Sequence, residues 1–218
     1  ADLCADYQSI KNLLADLEHP DGPCSYCELE LETTMPFSAA PSAPYRMDLA
    51  VTYRCQNECL HCYNARARNH PELDSAQWKT LLDTLWRASI PHVVFTGGEP
   101  TLRKDLPELI AHANRNGQIC GLNTNGRRLA DPRFVESLVE AGLDHVQITL
   151  ESSDPQIHDT MVSAQGAFTQ TVEGIRNALK SKLYVMTNTT MLQSNYRSLE
   201  STLTFLAELG VPTVGLNA

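Results

Sequence analysis

The feature that most constrains the fold is a repeated alternation of short apolar segments with longer amphipathic ones. Helix-type segments follow each apolar segment, and this order implies parallel strands because each crossover returns the chain to the same end of the sheet. The pattern predicts an α/β fold with six strands separated by five helices, built as an open sheet or a closed or partly closed barrel. The predicted strands are Arg46–Tyr53, His92–Thr96, Ile119–Asn123, His145–Leu150, Leu183–Thr189 and Thr213–Leu216.

The helix boundaries are marked by capping residues. Asp74 is a candidate N-cap, and Asp131 precedes Pro132, which suits the first turn of a helix. A further helix is predicted between residues 195 and 210, with Leu203 and Leu206 among its inward-facing residues. Any of these sheet arrangements brings the loops after the strands together at one edge, where α/β proteins bind ligands.

Residues 1–45 differ in character from the rest of the chain. A short helix is predicted over Asp6–Glu18, followed by a Pro- and Gly-rich break, a Cys24-x-x-Cys27 pair and a linker rich in Pro, Ser and Ala. We predict a small N-terminal module and linker at 1–45, ahead of a main domain at 46–218. Cys24 and Cys27 are either auxiliary metal ligands with partners from elsewhere or a pair of ordinary thiols.

Charge and composition disfavour several classes of protein. The net charge of -9 disfavours nucleic acid as a partner, since that affinity comes largely from Lys and Arg. No apolar run is long enough to cross a membrane, and the first residues do not resemble a secretory signal. Seven cysteines, an odd number, disfavour a disulfide framework. A cytoplasmic protein is expected.

Three cysteines lie close together just after the first predicted strand. Cys55, Cys59 and Cys62 fall within eight residues, and three thiolates at this spacing can bind a compact soft-metal centre. A structural zinc site takes four ligands, so His61 or His70 would have to complete one. Three ligands alone leave a metal position open for a small molecule. A zinc module and an electron-carrying iron–sulfur protein remain alternatives.

A Gly-Gly pair ends the second predicted strand. Gly97 and Gly98 allow close approach of the backbone to a ligand, and Glu99 can accept from an ammonium group. Because this segment and the cysteines follow neighbouring strands, both are expected at the same edge of the sheet. Cys120, inside the third strand, is predicted to be a small core residue.

The Cys-x-x-x-Cys-x-x-Cys spacing, the Gly-Gly-Glu-Pro segment at 97–100 and the six βα units together resemble the radical S-adenosylmethionine (SAM) superfamily over residues 46–218. The segments at 59–64 and 124–126, and Ser153-Asp154-Pro155 with His158-Asp159, are similar to its SPASM and twitch branch of peptide and cofactor maturases. The resemblance implies a partial (β/α)6 barrel.

The resemblance also implies the chemistry. In this family three cysteines hold a [4Fe–4S] cluster, which carries over to Cys55, Cys59 and Cys62, and the fourth iron binds the amino and carboxylate groups of SAM. Reductive cleavage of SAM gives a 5′-deoxyadenosyl radical that abstracts hydrogen from substrate. A peptide or small cofactor precursor is the expected substrate, with a flavodoxin or ferredoxin as electron donor.

Cofactor-binding positions carry over by the same resemblance. The segment Gly97-Gly98-Glu99 matches the part of the family that receives the SAM amino group, and Tyr63 matches an aromatic residue near the adenine. Glu151 is expected at the ribose. Two further residues at strand ends are expected to line the SAM site, Asn123 and Asn188. No residue of the chain is assigned a catalytic role of its own.

Two departures from the family pattern stand out. Val162 occupies the place where relatives often carry an Arg for the SAM carboxylate, and Arg103 or Lys104 is a candidate replacement. The sequence also stops after the sixth strand, so the core is expected to lack its C-terminal part.

Overall fold

The computed structural model describes residues 43–64 and 70–218. The strands fall within one residue of their predicted ends, because alternation of apolar side chains specifies them strongly. They are β1 (Arg46–Thr52), β2 (His92–Gly97), β3 (Ile119–Thr124), β4 (His145–Thr149), β5 (Tyr184–Thr190) and β6 (Thr213–Asn217). The predicted helix Asp6–Glu18 and the Cys24 and Cys27 pair lie outside the described residues, and the module boundary at residue 45 stays a prediction.

In the part of the chain that the structure describes, six α-helices accompany these strands, together with three short 3-10 turns. The helices are α1 (Ser75–Arg87), α2 (Leu106–Asn116), α3 (Pro132–Glu140), α4 (Pro155–Val162), α5 (Ala167–Leu179) and α6 (Leu199–Glu208), and the turns are Pro100–Leu102, Arg127–Ala130 and Tyr196–Ser198. Asp74 caps α1 in a capping box with Gln77, and the carboxylate of Asp131 accepts from Arg133 N at the start of α3. Both predicted caps are confirmed.

Two predictions about the helices are wrong: the number of helices between β4 and β5, and the inward position of Leu203 on α6. Two helices, not one, connect β4 to β5, because Ser163 and Gly166 adopt left-handed conformations that end α4 and delay the start of α5. Leu203 on α6 is exposed, whereas Thr202 and Leu206 are buried. The predicted inward position of Leu206 is confirmed, and Thr202 takes the buried place expected for Leu203.

All six strands are parallel and lie in the order in which they occur along the chain. Because the order never reverses, crossovers of one hand place every helix on the same face of the sheet. A doubly wound sheet would reverse its order and carry helices on both faces. Within the described residues no pairing joins β6 to β1, so the sheet is a partial (β/α)6 barrel.

The two faces of the sheet differ in chemistry. Val93 and Phe95 of β2 and Val146 and Ile148 of β4 belong to the apolar core beneath the helices, and Cys120 of β3 joins them as predicted. The alternate residues face the concave side, where neutral amides and hydroxyls dominate near the carboxyl ends of the strands: Asn123, Gln147, Thr149, Asn188 and Thr190. A polar concave face leaves room for a ligand where a closed barrel would pack branched side chains.

A histidine pair occupies the amino end of the concave face. The Nε2 atoms of His92 and His145 are 2.8 Å apart, so one ring donates and the other accepts. His145 reaches across Gly121, where a Cβ atom would lie 2.2 Å from its ring. Burial lowers the pKa of both rings, and the ring that accepts this hydrogen bond must be neutral.

Helix α5 holds the loop that follows β3. Thr171 Oγ1 donates to the carbonyl of Asn125, and Asn177 Nδ2 donates to the carbonyls of Leu129 and Ala130. The helix comes this close because Gly174 has no side chain, since a Cβ atom there would lie 2.2 Å from the carbonyl oxygen of Gly126. The backbone of this loop is therefore positioned by a helix thirty or more residues further along the chain.

Replacing Gly174 by Ala tests this packing. The added methyl group meets backbone that cannot rotate away, so we expect a loss of about 2–3 kcal/mol in the free energy of unfolding, despite the better helix propensity of Ala. Gly210→Ala is the control, because its Cβ meets no atom within 4 Å and only the left-handed backbone opposes it, at about 1 kcal/mol. Urea denaturation followed by circular dichroism measures both, and a Gly174→Ala variant more stable than Gly210→Ala would contradict the packing.

Candidate functional site

A cavity of about 420 Å³ opens at the carboxyl ends of the strands. This volume falls within the range of small-molecule sites, roughly 300–1,000 Å³. The structure brings most of the predicted site residues to its wall: Cys55, Cys59, Cys62, Tyr63, Gly97, Gly98, Asn123, Glu151 and Asn188. Glu99 is the exception and is fully buried behind the wall.

The cysteine loop, residues 53–64, is fixed at its start by the Gly-Gly segment. Gly98 N donates to the carbonyl of Thr52 at 2.7 Å, and Glu99 N donates to the carbonyl of Arg54 at 2.8 Å. A Cβ atom on Gly97 would lie 2.0 Å from Thr52 O, and one on Gly98 would lie 2.4 Å from Arg54 O. The two glycines thus permit close approach of the cysteine loop, in addition to lining the cavity.

Further contacts fix the rest of the cysteine loop. The Asn64 side chain donates to the carbonyl of Gly97 at 2.6 Å, which ties the end of the loop to the same segment as its start. Glu58 N and Leu60 N donate to the carbonyls of Val162 and Met161 at the end of α4, each at 3.0 Å. Backbone groups of the Gly-Gly segment and of α4, together with the Asn64 side chain, therefore hold the loop.

Arg127 supports the loop from the side. Its guanidinium donates to Asn57 Oδ1 at 2.6 Å and to Gln170 Oε1 of α5 at 2.6 Å. Asn57 is almost completely buried, so this charge-assisted bond lies in a place where it is worth more than on the surface. Sequence reasoning missed this role of Arg127, because the pairing joins positions 70 residues apart.

Glu151 joins β4 to the cysteine loop. Its Oε1 atom lies 2.9 Å from His61 Nε2, and its Oε2 atom accepts from Thr190 N at 2.9 Å. The contact with Glu151 raises the pKa of His61, which favours the protonated ring. Oε2 is occupied by Thr190 N, whereas Oε1 has an ion-pair contact with His61 but no hydrogen bond of suitable geometry, so a ribose hydroxyl could donate to Oε1. The ribose role of Glu151 stays a prediction.

Glu99 acts inside the protein wall. Its carboxylate accepts from Thr101 N and Oγ1, from Thr124 Oγ1 at 2.7 Å and from Asn125 N at 2.8 Å. Burial raises the pKa of this carboxyl group, and the four donors oppose the rise. The carboxylate thereby connects the turn after β2 to the end of β3. The role of Glu99 at the amino group of SAM stays a prediction.

The three thiols lie around the cavity and influence one another. Burial first, and then the negative charges of Cys55 and Cys62, raise the pKa of the Cys59 thiol to about 12. Three thiolates at this edge therefore need a cation to hold them together. Among the residues described, no three His, Cys, Asp or Glu side chains form a ready site for a single metal ion. The three thiols instead line the same cavity without forming a compact site.

The chemistry of the donors fits an iron–sulfur cluster. Cysteine thiolates are the ligands that such clusters take, and three of them leave one iron of a [4Fe–4S] cluster open. N–H groups point at one of the sulfurs: Asn57 N lies 3.4 Å and Asn125 Nδ2 3.9 Å from Cys55 Sγ. Hydrogen bonds of this kind stabilise the negative charge of a cluster and its ligands. Cys55, Cys59 and Cys62 would hold the cluster, and the rest of the cavity would receive its small-molecule partner.

Val162 stands where relatives often carry an Arg, and no nearby cation replaces that Arg in the described cavity wall. Val162 is buried in the cavity wall, and the residues of that wall that the structure describes include no Lys or Arg. The Arg103 guanidinium donates to Asp105 and to the carbonyls of Val51 and Leu73, and Lys104 is exposed. Neither of these candidate replacements lines the cavity.

The fold and the cysteine-lined cavity are those of one enzyme superfamily. The chain belongs to the radical SAM superfamily, whose family profile matches residues 49–206. The superfamily uses a [4Fe–4S] cluster and SAM. The family membership predicted from the cysteine spacing and the Gly-Gly-Glu-Pro segment is confirmed.

Named relatives refine the comparison. The Fe-coproporphyrin III synthase of Methanosarcina barkeri is 34% identical over 167 residues, covering 75% of this chain and 41% of the relative. The PqqA peptide cyclase of Xanthomonas oryzae is 37% identical over 141 residues, covering 64% and 35%. The chain therefore spans about two fifths of the length of these relatives.

A solved structure shows the same fold at lower identity. Streptococcus suis SuiB, crystallised with its precursor peptide SuiA, matches with a TM-score of 0.71 at 16% identity, over 80% of this chain and 39% of SuiB. The predicted barrel type is confirmed. In the part of the chain that is described, no helix is both long and apolar enough to cross a membrane.

Replacing Glu99 by Gln separates a structural role from a ligand-binding one. The amide presents a donor to groups that themselves donate, so we expect the protein without cofactors to lose about 3 kcal/mol in the free energy of unfolding. Glu136→Gln, an exposed site on α3, should change it by less than about 0.5 kcal/mol. Urea midpoints at constant m-value provide the measurement. Equal stability of the two variants would contradict the buried network.

Proposed function

We propose that this chain is the core of a radical SAM enzyme that acts on a peptide or cofactor precursor. The observation that carries the proposal is that three separate thiols and a glycine-lined wall share one cavity at the carboxyl edge of the sheet. A bare electron carrier has no need of a second binding wall beside its cluster, and a structural zinc site closes around its ion.

When bound, the [4Fe–4S] cluster and SAM supply the reductive cleavage that generates a 5′-deoxyadenosyl radical. The chain contributes the geometry. Cys55, Cys59 and Cys62 would hold the cluster on a loop fixed by backbone hydrogen bonds, and the concave amides of Asn123 and Asn188 would orient SAM. Tyr63, which is largely exposed at the rim of the cavity, would cover the adenine and exclude water.

The substrate class is inferred from the relatives. One curated relative is named a peptide cyclase, and the matching SuiB structure contains a precursor peptide. The other curated relative is named a synthase of an iron porphyrin, so a cofactor precursor remains the alternative. The neutral, hydrogen-bonding concave face suits peptide amides. A small redox protein such as a flavodoxin or ferredoxin is the proposed electron donor.

Anaerobic reconstitution of the full chain with iron and sulfide tests the proposal. With SAM and dithionite, we expect 5′-deoxyadenosine by liquid chromatography and mass spectrometry, and we expect Cys59→Ala to reduce it by at least about a hundredfold. Cys120→Ala is the matched control, because this buried thiol faces the helices and not the cavity. It should retain cleavage.

Three other outcomes would contradict the proposed function or its ligand assignment. Stoichiometric zinc without acid-labile sulfide or SAM cleavage would support a structural metal module. A reducible cluster that never consumes SAM would support an electron carrier. Turnover that survives Cys59→Ala would contradict the ligand assignment.

A further inference from the structure

Asn125 lies directly after β3 and approaches a predicted cluster ligand with its side chain. Its Nδ2 atom is 3.9 Å from Cys55 Sγ, on a residue 70 positions away. The same sulfur accepts from Asn57 N at 3.4 Å. Asn57 belongs to the cysteine loop itself, whereas Asn125 comes from the loop after β3. The contact from Asn125 therefore exists only in the folded sheet.

The orientation of the Asn125 amide follows from its other contacts. Its Oδ1 atom lies 3.1 Å from Arg127 N, and a backbone N–H group can only donate. Gln56 Nε2 donates to the same oxygen at 3.3 Å. The oxygen must therefore face these donors, and the NH₂ group must face the sulfur. A flipped amide would direct a donor at Arg127 N–H.

The backbone of Asn125 is held on both sides. Its N–H group donates to Glu99 Oε2 at 2.8 Å, and its carbonyl accepts from Thr171 Oγ1 at 2.9 Å. Glu99 is fully buried, and Thr171 belongs to α5. The side-chain donor is thus preorganised by two elements that do not belong to the cysteine loop.

We infer that Asn125 tunes the reduction potential of the cluster by donating a hydrogen bond to the sulfur of Cys55. Reduction adds one electron, supplied by the external donor, and one negative charge to the [4Fe–4S] centre. An N–H group at a ligating sulfur stabilises that added charge, so it raises the potential. The buried Glu99 acts indirectly, because it positions Asn125, which donates the hydrogen bond.

This inference rests on the proposed function and predicts a property of the cluster that is separate from turnover. Asn125→Ala removes the donor without adding charge, and we expect the one-electron reduction equilibrium to fall by about tenfold, which is about 59 mV. Asn125→Asp keeps an acceptor for Arg127 N and adds a negative charge, so its potential should fall further. Asn123→Asp adds the same charge two residues earlier, within β3, and serves as the control for charge.

The measurement is a potentiometric titration of the reconstituted full chain, followed by electron paramagnetic resonance without SAM. An Asn125→Ala potential equal to that of the wild type overturns the inference. If that variant fails to assemble a cluster, Asn125→Asp decides, and a shift no larger than that of Asn123→Asp overturns it. A wild-type chain that assembles no cluster refutes the proposed function instead, whereas SAM cleavage with unchanged variant potentials refutes only the role of Asn125.

Discussion

The structure of the site depends on the close backbone contact between the end of β1 and the Gly97-Gly98 segment. Two hydrogen bonds, from Gly98 N to Thr52 O and from Glu99 N to Arg54 O, set the direction in which the cysteine loop leaves the sheet. Side chains at either glycine would push the two backbones apart. The register irregularity in β1 between Ala50 and Thr52 occurs at the same place and is typical of a strand end that redirects its chain.

The network behind that contact extends across the sheet. Glu99 connects the segment after β2 to the end of β3, and α5 holds the loop beyond β3 from outside. Glu151 connects the end of β4 to His61, between two of the cysteines. The loop is therefore supported from several strands at once. Such support suits a site whose cofactors do the difficult chemistry, because the remaining task of the protein is to fix their geometry.

The cavity combines a supported cysteine loop with a polar wall in which neutral amides and hydroxyls outnumber charged groups. Concave amides replace the branched residues of a filled barrel, and Val162 stands where a cation was expected. A wall of this kind orients ligands through hydrogen bonds more than through charge. The extra helix between β4 and β5 contributes here, since the end of α4 supplies the carbonyls of Met161 and Val162 that hold the cysteine loop.

The sequence by itself determined the strand positions, the parallel α/β class and the three thiols, because periodicity and spacing are local properties of the chain. Only the tertiary structure decided that Glu99 is enclosed by Thr101, Thr124 and Asn125 while Glu151 pairs with His61. It also decided the partners of Arg127 and Asn125. These contacts join residues far apart in the chain, and a carboxylate or amide can donate, accept or bind a ligand equally well until its neighbours are fixed.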